Sequence, residues 1–372
     1  MEARRYADAG GPASAPYLSQ PPSLPLDRPD GWIDFSQTAN PLGTPRDVAA
    51  ALADAQGTCG PDAASADDGE KTAAALGSRD GFPGSWVLPA SSIGALLRGI
   101  ARSFKPCSVG VPAPARRTHF DALDAAGHRI VEISGPAGSF EPAPLESIVH
   151  RLGFNAVLLA NPSFPTSRLL DERTLLSYVK TCSWVVVDER SIDLSLGGAT
   201  VAGFVREWPN LIVVRSLAEP FDVPSLPISY CIAQPELITR MAPSMDPLTA
   251  PALERRVSEL AAQDESHLEA TADLLDEEIP WLQCMVGLVP GVRAFPAEAN
   301  YVACRFDHEL VPGAAAKSTA DLIYRLEENG CLVRSLKGMR GIAHSERCFA
   351  VSVRNRSDNE RLVSALRSAV LG

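Results

Sequence analysis

The feature that most constrains the fold is an alternation of short runs rich in β-branched residues with longer amphipathic stretches. Three such runs, Ala156-Val-Leu-Leu-Ala, Trp184-Val-Val-Val-Asp and Leu211-Ile-Val-Val-Arg, each follow a helix-like segment. A run that is apolar at every position suits a strand covered on both faces, and strands joined through helices lie parallel. The rhythm predicts an α/β fold class with a mostly parallel central sheet in a large domain over 33–245. Ahead of it, residues 1–32 carry Gly10-Gly-Pro-Ala-Ser-Ala-Pro and Pro21, Pro22, Pro25 and Pro29. Proline removes donors and fixes φ, so this stretch reads as a Pro/Ala-rich arm.

From 246 to 280 the pattern changes. Leu253, Val257, Leu260, Leu268, Leu274 and Leu275 recur at three-to-four spacing among acids and arginines, which predicts one long interdomain helix. The remainder of 246–372 predicts a smaller α+β domain. Its elements are a strand over 301–306, a helix over 320–329 closed by Gly330, a strand over 348–353 and a helix over 358–371. A chain of 372 residues, 45% hydrophobic and 21% charged, can bury the cores of two domains.

Net charge is −11, and no Lys/Arg cluster forms a phosphate-tracking stripe, which argues against nucleic acid as a partner. No window reaches the roughly 18 uncharged apolar residues a membrane helix requires, so a cytoplasmic protein without a membrane partner is expected. The eight cysteines show no metal-ligand spacing and read as reduced structural thiols. His128, His150, His267, His308 and His344 have no mutual metal spacing, so no metal is expected.

Several segments, taken in order, carry a resemblance. They are Asp34-Phe-Ser-Gln-Thr-Ala-Asn40-Pro-Leu-Gly, Asn161-Pro-Ser-Phe-Pro-Thr-Ser167, Val185-Val-Val-Asp188-Glu, Ser216-Leu-Ala-Glu219, Ala299-Asn-Tyr301 and Gly330-Cys-Leu-Val-Arg334. Over residues 33–372 the chain resembles the fold-type-I class I/II aminotransferases, nearest to histidinol-phosphate aminotransferases and threonine-phosphate decarboxylases. The resemblance implies a homodimer acting on a small-molecule substrate with pyridoxal phosphate held by a lysine. It places Glu219 at that lysine, and a carboxylate cannot condense with an aldehyde. No lysine lies between Lys180 and Lys317.

Other implied contacts are replaced too. Phe164 stands for an asparagine, Pro227 for the phosphate arginine, a position near Gly60 for a tyrosine, and Ala350 for a substrate-gripping arginine. Asp188 and Ser216 match the pyridinium and phosphate partners. A phosphate about 4 Å from an ionised Glu219 is disfavoured by about 4 kcal/mol per unit charge at an effective dielectric near 20. The resulting expectation is that no cofactor is used, with non-covalent pyridoxal or pyridoxamine phosphate as the exception.

Glu219 and Asp188 are the candidate catalytic pair. Two carboxylates meeting in a cleft raise one pKa and supply an acid and a base. Asn40, Arg116, Arg117, His119, Phe164, Arg190, Ser216, Tyr301 and Arg334 are the candidate substrate-binding residues. Arg116, Arg117 and His119 occupy the loop that resembles the family's aromatic-bearing segment, where guanidinium groups favour an anion or a carbonyl. Arg190 has an alternative reading as the partner of one of these carboxylates, which turns the cleft into a salt-bridged plug. Glu189 and Asp222 read as surface or cap residues.

The functional expectation is cofactor-independent acid/base chemistry on a small polar metabolite in bacterial specialised metabolism, as a lyase, isomerase or cyclase. The alternatives are a non-catalytic pseudoenzyme that binds a pathway partner, and a lysine-free enzyme that uses pyridoxal or pyridoxamine phosphate.

Overall fold

The computed structural model describes residues 31–58, 68–134 and 153–372, apart from 225 and 227. The expectations attached to residues 1–30, Gly60, His150 and Pro227 lie outside the described residues.

The three β-branched runs form β5 (Ala156–Ala160), β6 (Trp184–Asp188) and β7 (Leu211–Ser216), which pair in parallel at the centre of a seven-stranded sheet. The sheet is completed by β2 (Val87–Ala90), β3 (Ser108–Ala113), β4 (Arg129–Ser134) and β8 (Ser229–Ile232), in the order β2-β8-β7-β6-β5-β3-β4. Only β8 runs against its neighbours. Alternate side chains feed two buried clusters. Val157, Val185 and Val213 enter one. Leu158, Val186 and Val214 enter the other. Burial on both faces is what the unbroken apolar runs require. Trp184, expected in the core, is buried and stacks on Phe104 at 4.8 Å between centroids.

Helices α1 (Arg46–Thr58), α2 (Asp68–Asp80), α3 (Ile93–Arg102), α4 (Arg117–Ala125), α5 (Glu172–Thr181) and α6 (Pro235–Met241) accompany this sheet. The single helix expected over 246–280 is two, α7 (Pro251–Ala261) and α8 (Glu265–Gly287). Asp264 caps α8 by accepting from the His267 amide at 3.1 Å, which fixes a new start and breaks the run, and α8 continues past Pro280.

A second sheet, β12-β13-β10-β9, is antiparallel and comprises β9 (Val292–Ala294), β10 (Tyr301–Phe306), β12 (Arg334–Ser335) and β13 (Cys348–Ser352). Helices α9 (Thr319–Glu328) and α10 (Arg356–Leu371) follow, and Gly330 closes α9 at φ +72°. Helix α10 begins two residues before the expected Asp358 because Asn355 is its cap, accepting from the Asp358 amide at 3.0 Å. Strand β1 (Ile33–Asp34) pairs in parallel with β11 (Cys331–Leu332), so the segment after the arm joins the C-terminal elements.

Candidate active site

The parallel strands end together, and the candidate site gathers beyond the carboxyl ends of β6 and β7, where ligands bind in open α/β sheets. Asp188 closes β6 and is 2% exposed. Its two oxygens accept from Arg190 Nε at 3.0 and 2.9 Å, from Arg190 Nη2, from the Arg190 amide at 3.2 Å and from His119 Nε2 at 2.8 Å. Burial alone pushes this carboxyl up, but Arg190 and His119 outweigh it and hold Asp188 well below the usual carboxylate range. His119 is buried, and that burial lowers its pKa against the pull of Asp188, which leaves a neutral imidazole donating from Nε2.

Glu219 follows β7. It accepts from Ser191 Oγ and lies 3.8 Å from Arg116 Nη2. The expected pairing of Glu219 and Asp188 as like charges is therefore corrected. Arg190 sits on Asp188 and also feels Glu219, and the Asp188 pKa moves down instead of up.

Phe164 is 4% exposed and forms the floor of the site. Arg116 lies 4.5 Å and Arg334 4.9 Å from its ring centroid, and the Tyr301 ring is 5.2 Å away. The Tyr301 hydroxyl donates to the Ser163 carbonyl at 2.9 Å. Among the described residues the Arg334 guanidinium makes no side-chain hydrogen bond or ion pair, and it lies over the Phe164 ring. Burial, then the neighbouring Arg116 charge, lowers Arg334 to about 10, against the pull of Glu219 and Asp34. Strand register sets Arg334 opposite Ala350, so the neighbouring strand offers a guanidinium beside the position where the resemblance lacks one. Arg334, Phe164, Tyr301 and Ser352 line one crevice that is closed to a water molecule as it stands, and among the described residues the Ser352 hydroxyl is buried without a partner.

Three candidates turn away from this cluster. Arg117 is half exposed and pairs with Asp121 at 3.0 Å, one turn along α4, so its expected substrate contact is corrected. Asn40 is buried and donates to the Pro220 carbonyl at 2.7 Å and to Thr271 Oγ1 at 2.8 Å, which ties the chain entry to the loop after β7 and to α8. The Ser216 hydroxyl bridges its own loop, donating to the Ile228 carbonyl and accepting from the Ala218 amide, each at 3.1 Å. Glu189, read as a surface residue, is fully buried. It accepts from Asn161 Nδ2 and the Val201 amide at 2.8 Å each and from Thr200.

Sequence reasoning missed Ser191, Ser352 and a buried ion network on the other face of the sheet. Ser191 was reachable as the third residue of Asp188-Glu-Arg-Ser, but isolated serines carry no periodic signal.

A mostly parallel sheet buried on both faces, with charged groups massed at its strand ends, is the setting in which α/β proteins place a ligand site. The chain matches the model of the class I and II aminotransferases over residues 95–366 and belongs to that family. It is 28% identical to the threonine-phosphate decarboxylase of Salmonella typhimurium over 92% of this chain and 93% of that protein. Its fold is similar to the histidinol-phosphate aminotransferase of Clostridium acetobutylicum, with a TM-score of 0.78 at 15% identity, covering 90% of this chain and 98% of that one. It is similar also to the histidinol-phosphate aminotransferase of Sinorhizobium meliloti solved in complex with pyridoxal-5'-phosphate, with a TM-score of 0.74 at 18% identity, covering 90% of each chain.

The expectation of no cofactor is thereby corrected. The chain belongs to the class I and II aminotransferases, and a protein of the same fold was solved in complex with pyridoxal-5'-phosphate, so substitutions at single positions do not set the chain apart from cofactor-using relatives. The side chains described here do not fit that group as they stand. Arg190 and His119 occupy both Asp188 oxygens, and Glu219, where the resemblance expects an amine, carries a carboxylate.

Proposed function

We propose that this family member binds a small phosphate-bearing amino metabolite, with Arg334 and Arg116 gripping the anion over Phe164 and Glu219 exchanging a proton with the bound molecule. The observation that carries the reading is Arg334, a mostly buried cation that makes no ion pair among the described residues, beside the Ser352 hydroxyl, which has no partner among them, in the same crevice, which must widen to admit a ligand. An arginine does not shed its proton, so an unpaired one held near a second guanidinium is relieved only by an anion. The ring contact supplies about 0.5–2 kcal/mol, too little to replace an ion pair. The names of the relatives, threonine-phosphate decarboxylase and histidinol-phosphate aminotransferase, point to the same ligand chemistry. Asp188 drops out as a proton carrier because Arg190 and His119 hold it ionised. Glu219, reached by Ser191 and Arg116, is left as the acid/base group. A cytoplasmic homodimer belongs to the proposal through the family alone.

A second reading, ligand binding without turnover, is favoured by the Arg190 fork on Asp188, which makes the deep end of the cleft a salt-bridged plug. Calorimetric titration with L-threonine O-3-phosphate, L-histidinol phosphate and pyridoxal phosphate separates the readings. Saturable binding that weakens at least tenfold in Arg334→Ala is expected. An Arg334→Ala affinity equal to that of the wild type, or no binding of any of the three, overturns the anion grip. Product formed by the wild type and lost in Glu219→Gln with affinity kept identifies turnover. Binding without product identifies the second reading.

A further inference from the structure

A carboxylate offers about four acceptor sites. Asp188 uses them on the Arg190 guanidinium, the Arg190 amide and His119. Two of these donors are fixed, because the amide belongs to the backbone after β6 and the His119 ring is 1% exposed. Only the guanidinium stands on a flexible stem. Among the described residues its one other hydrogen bond is a long one, 3.4 Å to Thr118 Oγ1, and its side chain is 11% exposed. A second carboxylate lies within its Coulombic reach at Glu219, already drawn to Ser191 and Arg116. Arg190 thus has two acid stations at hand, and it occupies the deeper one.

We propose that Arg190 is an internal latch on Asp188, which a ligand bearing a protonated ring nitrogen must displace toward Glu219 before it can reach that carboxylate. The latch makes Arg190 a specificity-determining residue. Anions held at Arg334 do not compete with it, whereas heteroaromatic cations do. A buried charge pair gains little over its desolvation, so an incoming ring cation does not replace the fork at a profit. Removing the fork leaves Asp188 buried and uncompensated, and a ligand cation that pairs with it then recovers what was lost.

The inference goes beyond the anion grip and is tested apart from it, with two phosphomonoesters that differ in the ring nitrogen. Equilibrium dialysis of pyridoxamine 5'-phosphate and phenyl phosphate is run against the full-length wild type, Arg190→Ala and Arg190→Ala/Asp188→Asn. Arg190→Gln, which keeps a donor on Asp188, stands in if the alanine variant does not fold. The latch predicts that pyridoxamine 5'-phosphate binds at least tenfold tighter to Arg190→Ala than to the wild type, and that Asp188→Asn abolishes the gain. Phenyl phosphate is predicted to change less than twofold across the three proteins. Pyridoxamine 5'-phosphate affinity unchanged on removing Arg190, or an equal gain for phenyl phosphate, overturns the proposal. Failure of the anion grip appears separately, as insensitivity to Arg334→Ala.

Discussion

Arg215 Nη2 and Asp193 Oδ1 lie 2.8 Å apart, on the side of the sheet opposite the one that Ser216 of β7 and Asp188 of β6 face. Around them Arg79 Nη2 donates to Asp193 Oδ2 at 2.6 Å and Arg79 Nη1 to the Tyr230 hydroxyl at 2.8 Å. Tyr230 in turn donates to Asp80 Oδ2 at 2.5 Å, and Arg215 Nη1 lies 3.6 Å from Glu189 Oε2. The network grips both ends of the loop that carries Arg190 and Ser191. Removing one member of such a buried set strands the others, so Arg215→Met is predicted to destabilise the fold by about 3 kcal/mol in urea unfolding. A change below about 1 kcal/mol would show that the network is not structural.

His119 gives the protein a pH dependence of known sign. Its folded pKa is depressed below the ordinary 6.5, by burial first and against Asp188. Below that value the unfolded chain takes up a proton that the folded chain refuses, and stability falls as pH drops. Asp188 is also depressed, from 3.8, so its contribution is present above that pH and declines in a second window below about 4. Thermal unfolding of His119→Asn is predicted to have a flatter pH dependence than the wild type between about pH 6.5 and 5. Equal slopes would contradict the assignment.

Gly341 packs against the carboxyl end of β3. At φ +82° a Cβ on this residue would stand 2.6 Å from the Ala113 Cβ at the end of β3, while Arg340 lies over the Phe120 ring at 5.0 Å and pairs with Glu132 at 3.5 Å. Positive φ and the missing clearance act together, so Gly341→Ala is predicted to push this loop off β3 and cost about 1–3 kcal/mol. Faster amide exchange in the segment around Ala115 and Arg116 is the expected readout. Unchanged exchange and unchanged stability would mean that the contact relaxes freely.

The parallel core was legible because Val185, Val186 and Val187 leave a strand no polar face, and only a two-sided sheet accepts that. The split of the long helix was not, since the periodicity of Leu260 and Leu268 continues across Asp264, whose capping role depends on a local turn. At the site, the order of motifs brought Asp188, Glu219, Arg116, Phe164, Tyr301 and Arg334 into one region. Pair partners were harder to see. Glu189 looked like a solvated neighbour of Asp188, yet strand alternation sends it under the sheet toward Arg215. The sequence pattern tells nothing of Ser352, whose meaning rests on having no partner among the described residues in a crevice built by remote strands. The absence of a cofactor was inferred from lost contacts, and family membership overruled it because substitutions at single positions do not report what a whole scaffold is used for.

The anion grip is tested most directly by a crystal structure with L-threonine O-3-phosphate at saturating concentration. The prediction is a phosphate oxygen within about 3 Å of the Arg334 guanidinium and another near the Ser352 hydroxyl, with Phe164 beneath the ligand. Ligand anchored elsewhere, or Arg334 still facing Phe164 with no anion beside it, would contradict the assignment.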